Sequence, residues 1–158
     1  MHPKDQVSLI EDMKEIVRVL DANDIDYALC GGLAVAIHGY VRFTQDIDII
    51  ILPEDLEKAK AVLKKTGYNL PSGLIPFKQK DGSFWEIFRL SKAMGKELYT
   101  LALMLCTGSL EEKWQDRELV EADDQEFKVV SKAGLISMKK EAGRNKDLLD
   151  IEELENLG

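Results

Sequence analysis

Asp46 and Asp48 alternate with Ile47, and the chain then runs straight into Ile49, Ile50 and Ile51. A β-branched run of this kind suits a strand in the middle of a sheet, and strand side chains alternate between its two faces. The two aspartates therefore project together from one face while Ile47 and Ile49 enter the core. Few folds carry such a pair at low cost. Like charges side by side at the end of an apolar strand repel unless cations neutralise them, and hard carboxylate oxygens suit Mg²⁺ or Mn²⁺ held together with phosphates. An isolated Asp-x-Asp is more often two solvated acids at a strand edge, so the rest of the chain decides.

Upstream, Val7, Leu9, Ile10, Met13, Ile16, Val17 and Leu20 recur at three- and four-residue steps, which predicts an amphipathic leading helix. DYALCGG reads as a short strand ending in a tight turn, and LAVAIHGY as a short helix. After the aspartate strand, LPEDLEKAKAVLKKTGY has Pro at a helix start, acids in the first turn and lysines in the last. IPFKQ and SFWEIFRL flank Asp81-Gly82, a hairpin signal, with ELYTLALMLC as a further strand beside them. LEEKWQDRELV is predicted as a short helix and EFKVVS as a strand, followed by closing helices in AGLISMKKEAG and KDLLDIEELENL. These elements predict one α/β (α+β) domain over residues 1–158, a mixed, largely antiparallel sheet flanked by helices. Residues 1–22 form its leading helix, 26–106 its sheet core with the site, and 109–158 a C-terminal helical segment.

The 158 residues are 45% hydrophobic and 32% charged, enough for a sizeable core. No apolar run approaches the roughly 20 residues that cross a bilayer, and the N-terminal stretch has no signal-peptide core, so a cytoplasmic chain without membrane contact is expected. The 21 Lys+Arg against 29 Asp+Glu leave a net charge of −8, which argues against the broad phosphate-neutralising surface of nucleic-acid binders. A small partner is expected instead. Cys30 and Cys106 lack metal-site spacing and read as buried thiols, and His38, among apolar neighbours on a short helix, reads as structural. Trp85, Tyr99 and Trp114 read as core before they read as a base-stacking platform.

Two features raise the odds of a metal site. At Gly31-Gly32, between a strand and a helix, missing Cβ atoms let backbone N–H groups approach a phosphate. Arg42 and Thr44 place a cation and a hydroxyl just before the acids. The stretch GGLAVAIHGYVRFTQDIDIII resembles the signature of the nucleotidyltransferase superfamily related to DNA polymerase β, in which Gly-Gly or Gly-Ser precedes a short helix and Asp-x-Asp. SKAGLISMKKEAGRNKDLLDIEEL resembles the end of the small bacterial members and of the AbiEii-like toxins, with a helix lysine, Arg-x-Lys-Asp and a further Asp. The resemblance implies the nucleotidyltransferase fold, an NTP donor and Mg²⁺ or Mn²⁺ on the catalytic pair Asp46 and Asp48. It implies phosphate contacts at Gly31 and Gly32, a nucleotide-binding role for Arg42 and Thr44 either on the phosphates or behind the acids, and a nucleotide-side wall of Lys139, Arg144, Lys146 and Asp147. Two metals would then bridge the triphosphate, stabilise the departing pyrophosphate and bring an acceptor hydroxyl in line with the α-phosphorus.

One departure stands out. The family usually adds a third carboxylate in an apolar run on a neighbouring strand, and the corresponding run here, LYTLALML, offers Ala102. Glu86 is the expected substitute across the sheet, with Glu97 a poorer one. Loss of a general base commonly costs about 10²–10⁴-fold in rate, so the missing acid bears on turnover more than on nucleotide binding. The expected function is Mg-dependent transfer of an NMP to a hydroxyl of a small acceptor. The alternatives are a catalytically weak nucleotide-binding or regulatory module and a toxin-like enzyme acting on tRNA or protein. With little chain left for a separate acceptor domain, a partner chain or second subunit is expected to help grip the acceptor.

Overall fold

The isoleucine run lies at the centre of the sheet. In the computed structural model, which describes residues 3–41, 44–144 and 147–157, it forms β2 (Asp46–Ile51), and Ile47, Ile49, Ile50 and Ile51 are fully buried. Around it stand β1 (Ala28–Cys30), β3 (Leu70–Lys78), β4 (Phe84–Met94), β5 (Glu97–Leu105), β6 (Glu118–Ala122) and β7 (Gln125–Val129). Their order is β3-β4-β5-β2-β1-β7-β6. The pairs β1·β2, β3·β4, β4·β5 and β6·β7 are antiparallel, while β1·β7 and β2·β5 are parallel. The sheet is thus mixed and largely antiparallel, as the sequence predicts.

Register divides the sheet into two faces. Phe88, Leu103, Ile49, Leu29 and Val129 are paired across five strands and form one apolar row. On that face lie α1 (Pro3–Ala22) and α3 (Leu56–Leu63). Leu9, Ile16, Val17 and Leu20 of α1 are fully buried, which removes a stripe of large apolar side chains from water at roughly 1.5–3 kcal/mol each. Asp12 ties this helix down, accepting from Tyr68 Oη at 2.9 Å and from Lys92 Nζ at 3.1 Å, and Lys60 of α3 lies 4.5 Å above the Phe88 ring. The next row along the strands, on the opposite face, is Arg89, Ala102, Asp48 and Cys30. That face is flanked by α2 (Gly31–Ile37), α5 (Lys132–Ala142) and α6 (Leu148–Asn156), with α5 packed against both α2 and α6.

One predicted element is divided in two. LEEKWQDRELV was expected as a single helix, but α4 (Leu110–Gln115) stops at Asp116 and Glu118 begins β6. Arg117 marks the break: its guanidinium stacks 4.1 Å over the Trp114 ring and reaches Asp26 at 2.6 Å. β6 then turns back into β7 through Asp123-Asp124, both left-handed at φ 52° and 62°, the geometry of a type I′ hairpin turn. At the other edge of the sheet, Pro71 and Pro76 of β3 offer no N–H, which blunts the strand against pairing with another chain. Among the described residues no helix is long and apolar enough to cross a membrane.

Candidate active site

β2 presents Asp46 exposed and Asp48 half-buried on the same face, as strand alternation requires. Thr44 fixes the entry to the strand, its Oγ1 accepting from the Asp46 N–H at 3.2 Å. Antiparallel pairing of β1 with β2 sets Cys30 opposite Asp48, so the chain leaves β1 and starts α2 directly against the Asp48 carboxylate. Gly31 is obligatory there for two reasons. Its φ of +69° is left-handed, and a Cβ on it would overlap the carboxylate, 2.8 Å from Asp48 Cγ and 2.9 Å from Cβ. The absent side chain of Gly31 is therefore the space that Asp48 occupies.

The opposite wall is built by α5 and α6. Ser131 caps α5, accepting from the Gly134 N–H at 3.0 Å, and Gly143 ends it in the left-handed region at φ +67°. Lys139 is 8% exposed, and its Nζ lies 2.8 Å from Asp150 Oδ2 and 3.6 Å from Asp147 Oδ1. Arg144 forks onto Asp147 as well, at 2.8 Å from Nε and 3.2 Å from Nη2, with its guanidinium 5.4 Å from the centre of the Phe77 ring. Asp147 and Asp150 are each 2% exposed and three residues apart, on one side of the start of α6. A buried charge without a partner is costly, so these pairings hold the helical wall in one arrangement.

Gly31, Gly32, Thr44, Asp46, Asp48, Lys139, Arg144 and Asp147 all line one cleft of about 540 Å³ between sheet and helices. Arg42 and Lys146 lie outside the described residues. Burial, and next the charge of Asp46, pushes the Asp48 carboxyl up to about 6; Lys139, Arg144 and Arg89 pull the other way without cancelling this. Two adjacent carboxylates held against each other in this manner are a fitting donor set for a hard divalent cation, which would take its remaining ligands from phosphate and water. Among the described residues no group of three or more His, Cys, Asp or Glu side chains is arranged to hold a metal ion by itself.

Ala102 does stand beside Asp48 in register, where the third acid was expected. Glu86 does not replace it. Its neighbours Trp85, Ile87 and Arg89 line the cleft, so alternation along β4 sends Glu86 to the other face, where it is exposed. Glu97 shares the face of Tyr99 and Leu101, accepting from Gln45 Nε2 at 2.5 Å, and is likewise turned from the acids. His38 is structural, its Nε2 3.0 Å from the Val130 carbonyl, while Tyr99 and Trp114 are buried. Trp85 belongs to both readings: it is 4% exposed, stacks on Phe77 with centroids 6.0 Å apart, and still borders the cleft. Burial pushes the Cys30 thiol up, and its Sγ donates to Met104 Sδ at 3.7 Å, so it is an inert wall residue. Asp150, noted in the sequence only as the Asp that follows Arg-x-Lys-Asp, proves to be a partner of Lys139, and Arg89 on β4 is a charged cleft residue that the sequence did not single out.

A mixed sheet with an Asp-x-Asp strand facing a Gly-Gly turn defines a nucleotidyltransferase-type domain. The chain belongs to the family described as uncharacterised nucleotidyltransferases, whose profile matches residues 1–131. That match ends before Lys139, Arg144 and Asp147, and it is not to the AbiEii-like branch, which rests on the resemblance of the last two helices. No curated protein matches the sequence. Among solved structures, the lincosamide antibiotic adenylyltransferase LnuA, lincomycin-bound, superposes at a TM-score of 0.62 with 15% identity, over 94% of this chain and 97% of its own. The antibiotic-resistance factor ANT(2'')-Ia gives 0.61 with 17% identity over 96% and 85%. TM1012 of Thermotoga maritima, assigned to the nucleotidyltransferases, gives 0.60 with 13% identity over 94% and 93%. At these identities the likeness is one of fold.

Proposed function

We propose that this chain is a Mg²⁺-dependent nucleotidyltransferase of the cytoplasm that moves an NMP from an NTP to a hydroxyl of a small acceptor. The observation that carries the reading is the interlock of Gly31 with Asp48: a glycine turn and a carboxylate pair share one space at the floor of a cleft roofed by Lys139 and Arg144. Asp46 and Asp48 hold the metal, the Gly31-Gly32 turn meets the phosphates, and Lys139 and Arg144, fixed by Asp147 and Asp150, set positive charge across from them. When bound, the metal screens the triphosphate and stabilises charge on the leaving pyrophosphate. The acceptor oxygen bonds to the α-phosphorus as the bond to pyrophosphate breaks, and the hydroxyl proton leaves to solvent. A small acceptor is favoured over tRNA because Lys139, Lys140 and Arg144 are each paired to an acid, which leaves no free basic patch among these residues. The fold neighbours LnuA with lincomycin and ANT(2'')-Ia with adenylyl-2''-tobramycin support the same class of acceptor.

The experiment is a calorimetric titration of ATP, GTP, CTP and UTP with Mg²⁺ into the wild type and into Asp46→Asn/Asp48→Asn, followed by a pyrophosphate-release assay. Metal-dependent binding that the double variant loses supports the reading; a wild type that binds no nucleotide under saturating Mg²⁺ overturns it. Ala102 favours a second reading, a module that binds Mg–NTP with little turnover, and tight binding with no pyrophosphate release across an acceptor panel would select it. A second subunit completing the acceptor site is tested by light scattering, and a strict monomer that still transfers removes it.

A further inference from the structure

The two walls of the cleft balance their charges differently. On the helical wall Lys139 and Arg144 are matched by Asp147 and Asp150. On the sheet, Arg89 lines the cleft in the row of Ala102 and Asp48, yet among the described residues its side chain makes no hydrogen bond or ion pair. Its field, together with those of Lys139 and Arg144, reaches the Asp48 carboxylate. Once a divalent cation takes Asp46 and Asp48, that counter-charge is neutralised, and Arg89 is left as a cation facing a half-enclosed cleft. An acid at position 102 would have closed Arg89 into a cross-strand ion pair. With Ala102 there, the floor between Arg89 and Asp48 is open, and an arginine in such a place calls for an anion from solution.

Position in the sheet says which substrate that anion belongs to. The Gly31 turn follows β1 on one side of Asp48, while Arg89 lies two strands away on the other side, about 10 Å at the usual strand spacing. The phosphate end of the site and Arg89 are thus separated by the acids, and Trp85 and Ile87 beside Arg89 give that half an apolar wall. We propose that Arg89 binds the anionic group of the acceptor, and that the acceptor is a hydroxylated organic anion, a carboxylate or phosphate ester with a flat apolar body. This rests on the nucleotidyl-transfer reading of the cleft.

The test titrates 4-(hydroxymethyl)benzoate, its methyl ester and phenyl phosphate into the protein saturated with Mg–ATP, and into Arg89→Met and Ala102→Asp. The carboxylate or the phosphate is expected to bind at least tenfold more tightly than the neutral ester, and whichever binds names the source of the anion. Arg89→Met, again saturated with Mg–ATP, is expected to lose that preference; Ala102→Asp, which supplies Arg89 with a carboxylate, is expected to weaken the anion at least tenfold. Equal binding of acid and ester, no binding of either anion, or a preference that Arg89→Met retains overturns the assignment. Should the wild type bind no Mg–ATP, the transferase reading fails by itself, and the same anion titrations without nucleotide still decide the role of Arg89.

Discussion

Gly31 and Asp48 act as a single unit, and each has a measurable signature. Any side chain at Gly31 must adopt φ near +69° and displace the carboxylate at once, so Gly31→Ala is expected to cost about 1–3 kcal/mol of stability and at least tenfold in Mg–ATP affinity. Urea denaturation and calorimetry read the two losses; unchanged affinity would separate the turn from the acids. Asp48 runs the opposite way. Its folded value of about 6 stands above the 3.8 of a free carboxyl, so between those values the folded chain keeps a proton that the unfolded chain has lost. Stability therefore falls as pH rises from about 4 to about 6 and is lowest, for this group, at neutral pH. Asp48→Asn is expected to stabilise the metal-free protein by about 1–2 kcal/mol at pH 7, to give no such gain at pH 4, and to abolish Mg–nucleotide binding. Thermal melts at both pH values check it. That Asp46, Asp48, Gly31 and Gly32 share one cleft was legible because each is a local residue choice in a recognisable pattern. Arg89 was not, since one arginine in a strand carries no sign of its partners until the register of β4 on β5 is known.

At the scale of elements, the same limit explains both the successes and the errors. Elements whose ends are marked by their own residues were readable: Pro53 before α3, the Asp81-Gly82 hairpin, and the isoleucine strand at the sheet centre. The helix expected across 110–120 failed because Glu, Lys and Gln favour a helix locally while pairing of β6 with β7 takes the second half away, and the Asp123-Asp124 turn lacks the glycine that usually announces such a hairpin. Glu86 failed for parity: one position along β4 exchanges the cleft for the opposite face. In the α5–α6 pair the spacing was visible but the burial was not. Lys139, Asp147 and Asp150 are all nearly inaccessible, so removal of one partner leaves an uncompensated charge. Asp150→Ala is expected to destabilise by about 3–5 kcal/mol, and the double variant Lys139→Met/Asp150→Leu by less, because it removes both charges and refills the space. Chemical denaturation of the three proteins decides between a structural clamp and a surface pair, the latter giving under about 1 kcal/mol for either change.

For the molecule as a whole, the net charge of −8 sets a problem for the proposed function, since an NTP is itself an anion. On that reading the acids that would repel it are the ones that would hold the cation, and the lysine and arginine above them are already paired, so attraction for nucleotide would depend on divalent metal rather than on a standing basic surface. Composition argues only against a broad nucleic-acid face, whereas the folded arrangement shows that Lys139, Lys140 and Arg144 are each matched by an acid. The cleft also lies between two bodies of structure, the sheet with Asp46 and Asp48 and the α5–α6 wall with Lys139 and Arg144, and a bound nucleotide would contact both. Binding to the native state alone stabilises it by mass action, about 2.7 kcal/mol at a hundredfold excess over Kd. Mg–ATP is therefore expected to raise the melting temperature and to slow amide exchange in α5 and α6 as well as in β2, while ATP with EDTA does neither and Asp46→Asn/Asp48→Asn responds to neither. Protection confined to β2 and the Gly31 turn would show a nucleotide held by the sheet alone, with Lys139 and Arg144 left to support the fold.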